Sequence, residues 1–308
     1  TVATMVGTGS SMGAVGFAYL NGWAGMIYGL GGATGILLLA KIYAPVRNHQ
    51  FMTMSEEVSY YVGAHPIVKN TIAVFILIAS VGWLGAHILG GGMYLAWLTG
   101  LSPFAAKLII ALGFSIYVVI GGYVAVVWTD SIQAIVLFVG FFLMAGVAIY
   151  EADGLIAIAN AQPELNRSFL SLDKIGALHG LSLFFAVLIG VLVAPSFRQR
   201  IYSGKHVKSI RQSFYLSGGL YLVFAIVPAI IGMAAFKMNP DLENSSFSFP
   251  YMAFELLPFG FAALVIVAGL SATISSASSD AIAAVSVLIR DIYSLVFKRM
   301  PHSKEARH

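Results

Sequence analysis

The chain has 308 residues, of which 59% are hydrophobic and only 10% charged, against about 25% charged in soluble domains; a water-soluble globule is excluded. Its 17 basic and 13 acidic residues are spread too thinly to form the dense cationic face that grips a phosphate backbone, so nucleic acid is not an expected partner. Cysteine is absent, which removes disulfides, thiolate metal sites and cysteine nucleophiles.

About 20 apolar residues cross a bilayer as a helix. Asp, Glu, Lys and Arg are missing from residues 1–40, 70–106, 108–129, 131–150, 175–197, 212–236 and 256–279. The first gap is of double length and carries the turn signal Asn21-Gly22 at its middle. The pattern predicts an all-α polytopic membrane protein with helical spans near 1–20, 23–43, 71–98, 104–125, 127–149, 177–196, 212–235 and 256–289.

Basic residues set the orientation of such a chain. With residues 44–70 on the cytoplasmic side, alternation places thirteen of the seventeen basic residues inside, among them Lys41, Arg47, Lys69, Arg198, Arg200 and Arg290. Lys107, Arg167, Lys174 and Lys237 are the four outside. The charge-free start at Thr1 lacks the pattern of a signal peptide, and the basic tail ends without a domain finish. A fragment of a larger multi-pass protein of the cell membrane is expected.

Irregular backbone at membrane depth is tolerated only where it lines a cavity or is buried in protein. The first span contains Gly7-Thr8-Gly9-Ser10-Ser11, and the sixth contains Gly190 and then Val193-Ala194-Pro195-Ser196. Paired interruptions in the opening helices of two halves point to a binding site. The plainer account is that glycine is common in membrane helices and Pro195 ends one. The eighth span holds GLSATISSASSDAIAAVS, from Gly269 to Ser286. Close helix packing explains its small residues but not Asp280, since a charge at such depth costs about 2.5–3.5 kcal/mol on insertion scales. Asp280 shares a helical stripe with Ser276 and Ala272, which suggests a carboxylate on an ion-release path; nearness to the cytoplasmic end is the alternative.

Four segments, GTGSSMGAVGFAY (Gly7 to Tyr19), IGGYVAVVWTDSIQ (Ile120 to Gln133), FRQRIYSGKHVKSIRQ (Phe197 to Gln212) and SATISSASS followed by VLIRDIY (Ser271 to Tyr293), resemble the sodium:solute symporter family in this order. The resemblance covers nearly the whole chain. It implies a five-plus-five inverted-repeat core, with residues 1–150 as the first repeat and 177–293 as three helices of the second, so that the remaining helices of the full-length protein are partners of this membrane domain. It also implies sodium-coupled symport of a small organic solute by alternating access, with sodium as the bound ion.

Carried over by residue, the resemblance places one sodium among Ala3, Val6, Ala272, Ser275 and Ser276. Ala3 and Val6 offer only main-chain carbonyls, which a break at Gly7 to Ser10 would release from helical bonding; two serine hydroxyls add oxygens suited to a hard cation. The same resemblance suggests a second sodium at Asp130, Ser278 and Ser279, although Asp130 also reads as a carboxylate at a helix N-terminus. It puts the solute beside the break, near Ser10, Ser11, Gly13, Gly29, Gly32, Val187 and Gly190. These side chains are too small and sparse for a sugar, so a small organic acid or an amino acid is favoured.

Tyr19, Trp23, Tyr28, Trp83, Tyr94, Trp97 and Trp128 read mostly as interfacial anchors. His87 and His179 stand alone in apolar sequence, without metal-ligand spacing. Residues 55–66 read as a short amphipathic helix capped by Ser55 and packed at the inner mouth. Two rival classes remain: a sensor input module of a larger signalling protein, and a membrane enzyme, for which no paired catalytic motif is present.

Overall fold

In the computed structural model, which describes residue 4 and residues 6–299, the chain is helical and contains no strand among those residues. Among the described residues five helices are long and apolar enough to cross a membrane: Gly9–His49, Pro66–Thr99, Val118–Glu151, Val207–Met238 and Phe259–Phe297. A bent pair, Phe169–Ile175 with Ala177–Val193, supplies a sixth if counted as one span. Each of the eight expected segments contains helix among the described residues, but two pairs of them are joined into longer runs. Asn21-Gly22 does turn the chain, with Gly22 at φ +61°, yet helical residues continue directly after it. Residues 104–125 and 127–149 lie in one helix divided at Gly122 rather than near residue 126, because Gly122 adopts φ 58°, ψ −159°, a conformation glycine reaches without a Cβ clash.

The helices used below are α1 (Ala14–Asn21), α2 (Met26–Leu38), α3 (Met54–Tyr60), α4 (Pro66–Thr99), α5 (Pro103–Glu151), α6 (Leu155–Ala161), α7 (Ala177–Val193), α8 (Pro195–Tyr202), α9 (Val207–Phe224), α10 (Ile226–Met238), α11 (Ser248–Leu256) and α12 (Phe259–Val287). Helix starts follow ordinary chemistry: Pro66 and Pro103 occupy the first turn, and the Ser102 hydroxyl caps α5 by accepting from the Ala105 N–H. Gly100 closes α4 in the left-handed region at φ 71°.

Packing places α12 against α4 and α5, α1 against α10, and α2 against both α7 and α9. Small residues on α12 allow this close approach; Ser275, Ser278 and Ala277 are fully buried. Many large apolar residues face outward, including Val119, Ile120 and Ile156, as a lipid-facing surface requires. The aromatic residues divide differently from the expected belt. Tyr94 is wholly buried, and Tyr19 is buried with its hydroxyl donating to the Asn239 carbonyl, whereas Trp128 is 71% exposed.

The short helix α3 is capped by Thr53, not Ser55: the Thr53 oxygen accepts from the Glu56 N–H, while the Ser55 hydroxyl donates to Asp291. Glu57 is buried and pairs with Arg198 at 2.9 Å, and the Arg198 guanidinium lies over the Tyr43 ring. Tyr61 and Tyr202 donate to the same carboxylate. Burial first, and then the Glu57 charge, push the Tyr61 hydroxyl up to about 12 and raise Tyr202 as well. Arg198 is therefore an interior tie between α3 and α8, not a solvated loop charge.

Candidate ion and solute site

The opening helix is interrupted where the glycine and hydroxyl cluster predicts. Residues 6–7 form a bend, and Gly9–Gly13 continue as a π turn. The N–H groups of Ser10 and Ser11 and the Ser11 hydroxyl all donate to the Gly7 carbonyl, at 3.0–3.1 Å. An uninterrupted α-helix would direct the Ser10 N–H to Val6. Gly7 also permits close approach: a Cβ there would stand 2.6 Å from Ser276 Oγ and 2.9 Å from His87 Cε1. The break is thus pressed against α12 on one side and α4 on another.

On α12, Val6's expected partners Ala272, Ser275 and Ser276 are all buried. The Ser276 hydroxyl donates to the Thr4 carbonyl at 2.9 Å and to Ala272 at 3.3 Å. Thr4, which sequence reasoning missed, is the described residue of the opening segment whose main chain meets the serines. Ala3 lies outside the described residues. Ser275 Oγ is fully buried and has no hydrogen-bond partner among the described residues. A buried hydroxyl without a partner costs about 1–3 kcal/mol, so an oxygen-seeking cation at this position would remove a real penalty. The donor set, hydroxyl and carbonyl oxygens only, fits sodium.

Asp130, Ser278 and Ser279 do not form one cluster. Asp130 is buried eight residues beyond Gly122, inside a helical limb, which removes the N-terminal capping reading. Its carboxylate pairs with Arg200 of α8 and accepts from Ser279 at 3.3 Å. Arg200 donates further to Thr4 Oγ1 at 2.7 Å and Ser279 Oγ at 2.8 Å. Ser278 instead donates to the Ile274 and Ser275 carbonyls of its own helix. A guanidinium therefore stands beside Asp130, and the sequence offered only the basic loop around residue 200 as a signal for it.

A cavity of about 290 Å³ opens between the break, α4, α7 and α12, lined among others by Gly7, Gly9, Tyr28, Trp83, Gly190 and Ser276. The interruption of the sixth span is at Ala194, where the chain leaves α7 with ψ 121° before Pro195 starts α8; α7 runs through Gly190 unbroken. Of the expected solute residues, Val187 and Gly190 line this cavity. The others do not. Ser10 bonds Tyr221 at 2.6 Å, Ser11 turns back to Gly7, and Gly13 is exposed. Gly29 packs so closely on Ala225 that a Cβ would lie 2.4 Å from the alanine Cβ, and Gly32 is buried on α2.

Asp280 lines the cavity and faces His87, Oδ2 to Nε2 at 3.3 Å, while the other ring nitrogen meets Thr8 Oγ1 at 3.0 Å. His87 is thus partnered, against the sequence expectation. No spacing rule joins positions on two helices 193 residues apart. Trp83, which the sequence grouped with the interfacial aromatic residues, is 53% exposed and lines the same cavity.

The sequence model of the sodium:solute symporter family matches residues 1–307. An uncharacterised symporter of Bacillus subtilis (strain 168), YwcA, is 26% identical over 311 aligned residues, covering 94% of this chain and 59% of the relative. The chain thus spans somewhat under two thirds of that relative. A Na+-coupled sialic acid symporter, solved in a substrate-bound outward-open state, has the same fold with a TM-score of 0.78 at 23% identity, over 99% of this chain and 68% of the other.

Proposed function

The chain belongs to the sodium:solute symporter family, and from that premise we propose that the full-length protein moves a small organic solute together with sodium across the cell membrane by alternating access. It is a multi-pass membrane protein and a transporter by family, not an enzyme. In this reading residues 1–150 are the first repeat of the core and 177–293 belong to the second. The sodium sits at Val6, Ala272, Ser275 and Ser276, with Ala3 completing the set, and ties the interrupted opening helix to α12. The solute occupies the neighbouring cavity against Val187 and Gly190. Sodium and solute share the wall made by Gly7 and Ser276, so each stabilises the arrangement the other needs, which is thermodynamic linkage.

The observation that carries this reading is the buried hydroxyl of Ser275, which has no partner among the described residues. It supports one exchangeable sodium. At Asp130 and Ser279 the Arg200 guanidinium takes the place a second cation would fill, and Ser278 serves its own helix. Asp280, one turn beyond Ser276 on the cavity wall, is the carboxylate a departing ion would meet.

Ser275→Ala in the full-length protein separates this reading from packing. A hydroxyl without a function is removed at no cost to stability, because it was unsatisfied. The expected result is sodium-free stability unchanged or higher, with the sodium concentration for half-maximal uptake raised about tenfold, the loss of about 1.4 kcal/mol of binding. An unaltered sodium requirement overturns the site.

A further inference from the structure

The basic residues on the side expected to face the cytoplasm fall into two groups. Lys69, Arg198, Arg200 and Arg290 each meet a carboxylate. Lys41, Arg47, Lys205, Lys208 and Arg211 meet none at ion-pair distance among the described residues. The sequence accounts for the difference. Asp and Glu are missing from residues 1–55 and from residues 174–240, and these two stretches come together where the turn Ala44–His49 packs on α9. Cations are gathered there without a counter-charge supplied by the chain. A pocket of about 280 Å³ lies at the junction, lined by Arg47, Asn48, Gln50, Lys205, His206 and Val207. Its walls are held in place. Arg47 Nε donates to the Gly204 carbonyl, and Gly204 lies so close to α9 that a Cβ would stand 2.4 Å from Ile210 Cγ1. The two terminal nitrogens of Arg47, the fork that suits an oxyanion, have no hydrogen-bond partner among the described residues.

We propose that this pocket binds the phosphate of an anionic phospholipid, whose acyl chains run down the adjoining outer face of α9. That face changes character along its length. Lys208 and Arg211 are exposed on its first turns; one turn further Tyr215 and Leu216 are exposed, followed by Leu220 and Val223. Ile42, next to Lys41, is exposed as well. Cations at headgroup level, a tyrosine below them and then bare apolar side chains follow the order in which a membrane leaflet presents phosphate, interface and hydrocarbon. A free phosphate offers the same oxygens to Arg47 and Lys205 but has no use for the apolar strip, which favours the lipid. A zwitterionic headgroup fits less well, because it brings an ammonium into a pocket with no acidic residue to receive it.

The 308 residues hold no cysteine, so Ser213→Cys, at an exposed position of α9 between Arg211 and Tyr215, can carry a single bimane label in the full-length protein once any other cysteine is replaced. The labelled protein is reconstituted in phosphatidylcholine vesicles in which part of the lipid is acyl-brominated phosphatidylglycerol or, separately, acyl-brominated phosphatidylcholine. Half-maximal quenching is expected at about a tenfold lower mole fraction of the phosphatidylglycerol. The ratio should fall to near one in Arg47→Gln combined with Lys205→Gln, and by about threefold in Lys205→Gln alone, while surviving Lys205→Arg. The Lys205 side chain makes no bond among the described residues, so its variants leave the packing intact. Lys298→Gln combined with Arg299→Gln removes two charges of the same expected side that do not line the pocket, and should leave the ratio unchanged. A ratio near one in the labelled protein without further substitution overturns the proposal. So does an equal loss in the two double variants, because the attraction is then diffuse. Loss of the preference on adding inorganic phosphate, but not sodium chloride of equal ionic strength, overturns it too and gives the pocket to a soluble phosphate.

Discussion

Two clusters on α12 use neighbouring residues in opposite ways. At Ser275 and Ser276 the oxygens are neutral, the opening helix presents main chain, and one hydroxyl is left without a partner among the described residues. One turn along, Ser279 joins Asp130, Arg200 and Thr4 in a network whose charges offset each other internally. On the proposed reading a cation completes the first arrangement, whereas the second already contains a guanidinium. An ion that must leave needs weak, neutral ligands, whereas a tie between helices needs charges that stay matched. If the sodium site is as proposed, one helix face carries an exchangeable site and a fixed latch within one turn.

The largest expected effect breaks the latch. Arg200→Ala leaves Asp130 buried and unpaired, and should cost about 3–5 kcal/mol of stability, measurable as a fall in the unfolding midpoint of the detergent-solubilised full-length protein. Asp130→Asn combined with Arg200→Gln should recover most of that loss. If sodium specifically restores Arg200→Ala, the latch can accept an ion, and the contrast between the clusters is one of occupancy rather than kind.

A smaller effect sharpens the neutral cluster. Gly7→Ala sets a methyl 2.6 Å from Ser276 Oγ, and overpacking of this sort costs about 1–3 kcal/mol. Because the displaced atom is a proposed ligand, the sodium requirement should rise along with the loss of stability. A purely structural change with normal sodium dependence would argue that the break can shift without disturbing the ion.

The smallest effect is at Ser278. Its hydroxyl bonds to carbonyls of its own helix, so Ser278→Ala should stay within about 0.5 kcal/mol of wild type and leave sodium-dependent uptake unchanged. A large rise in the sodium requirement there, with none at Ser275, would reverse the assignment of the two clusters.

Much of this organisation was legible along the chain. Gly7 to Ser10 announced an interruption because glycines and hydroxyls replace helix formers at a depth where backbone must stay bonded. Ala194-Pro195 announced the second break because proline lacks an N–H. Residues on different helices were not legible in this way. Arg198 and Arg200 read as loop charges and turned out to be interior partners of Glu57 and Asp130. The resemblance put Gly29 beside the solute, yet its face of α2 is filled by Ala225.

Composition and charge spacing by themselves determined that the chain is helical, crosses a membrane and bends at two places, since hydropathy and backbone hydrogen bonding act locally. Tertiary structure decided which oxygens face each other, that His87 stands beside Asp280, and that a guanidinium neutralises Asp130. Those choices depend on how helices far apart in the chain are rotated and packed, and side-chain contacts of that range leave no periodic trace in a single sequence.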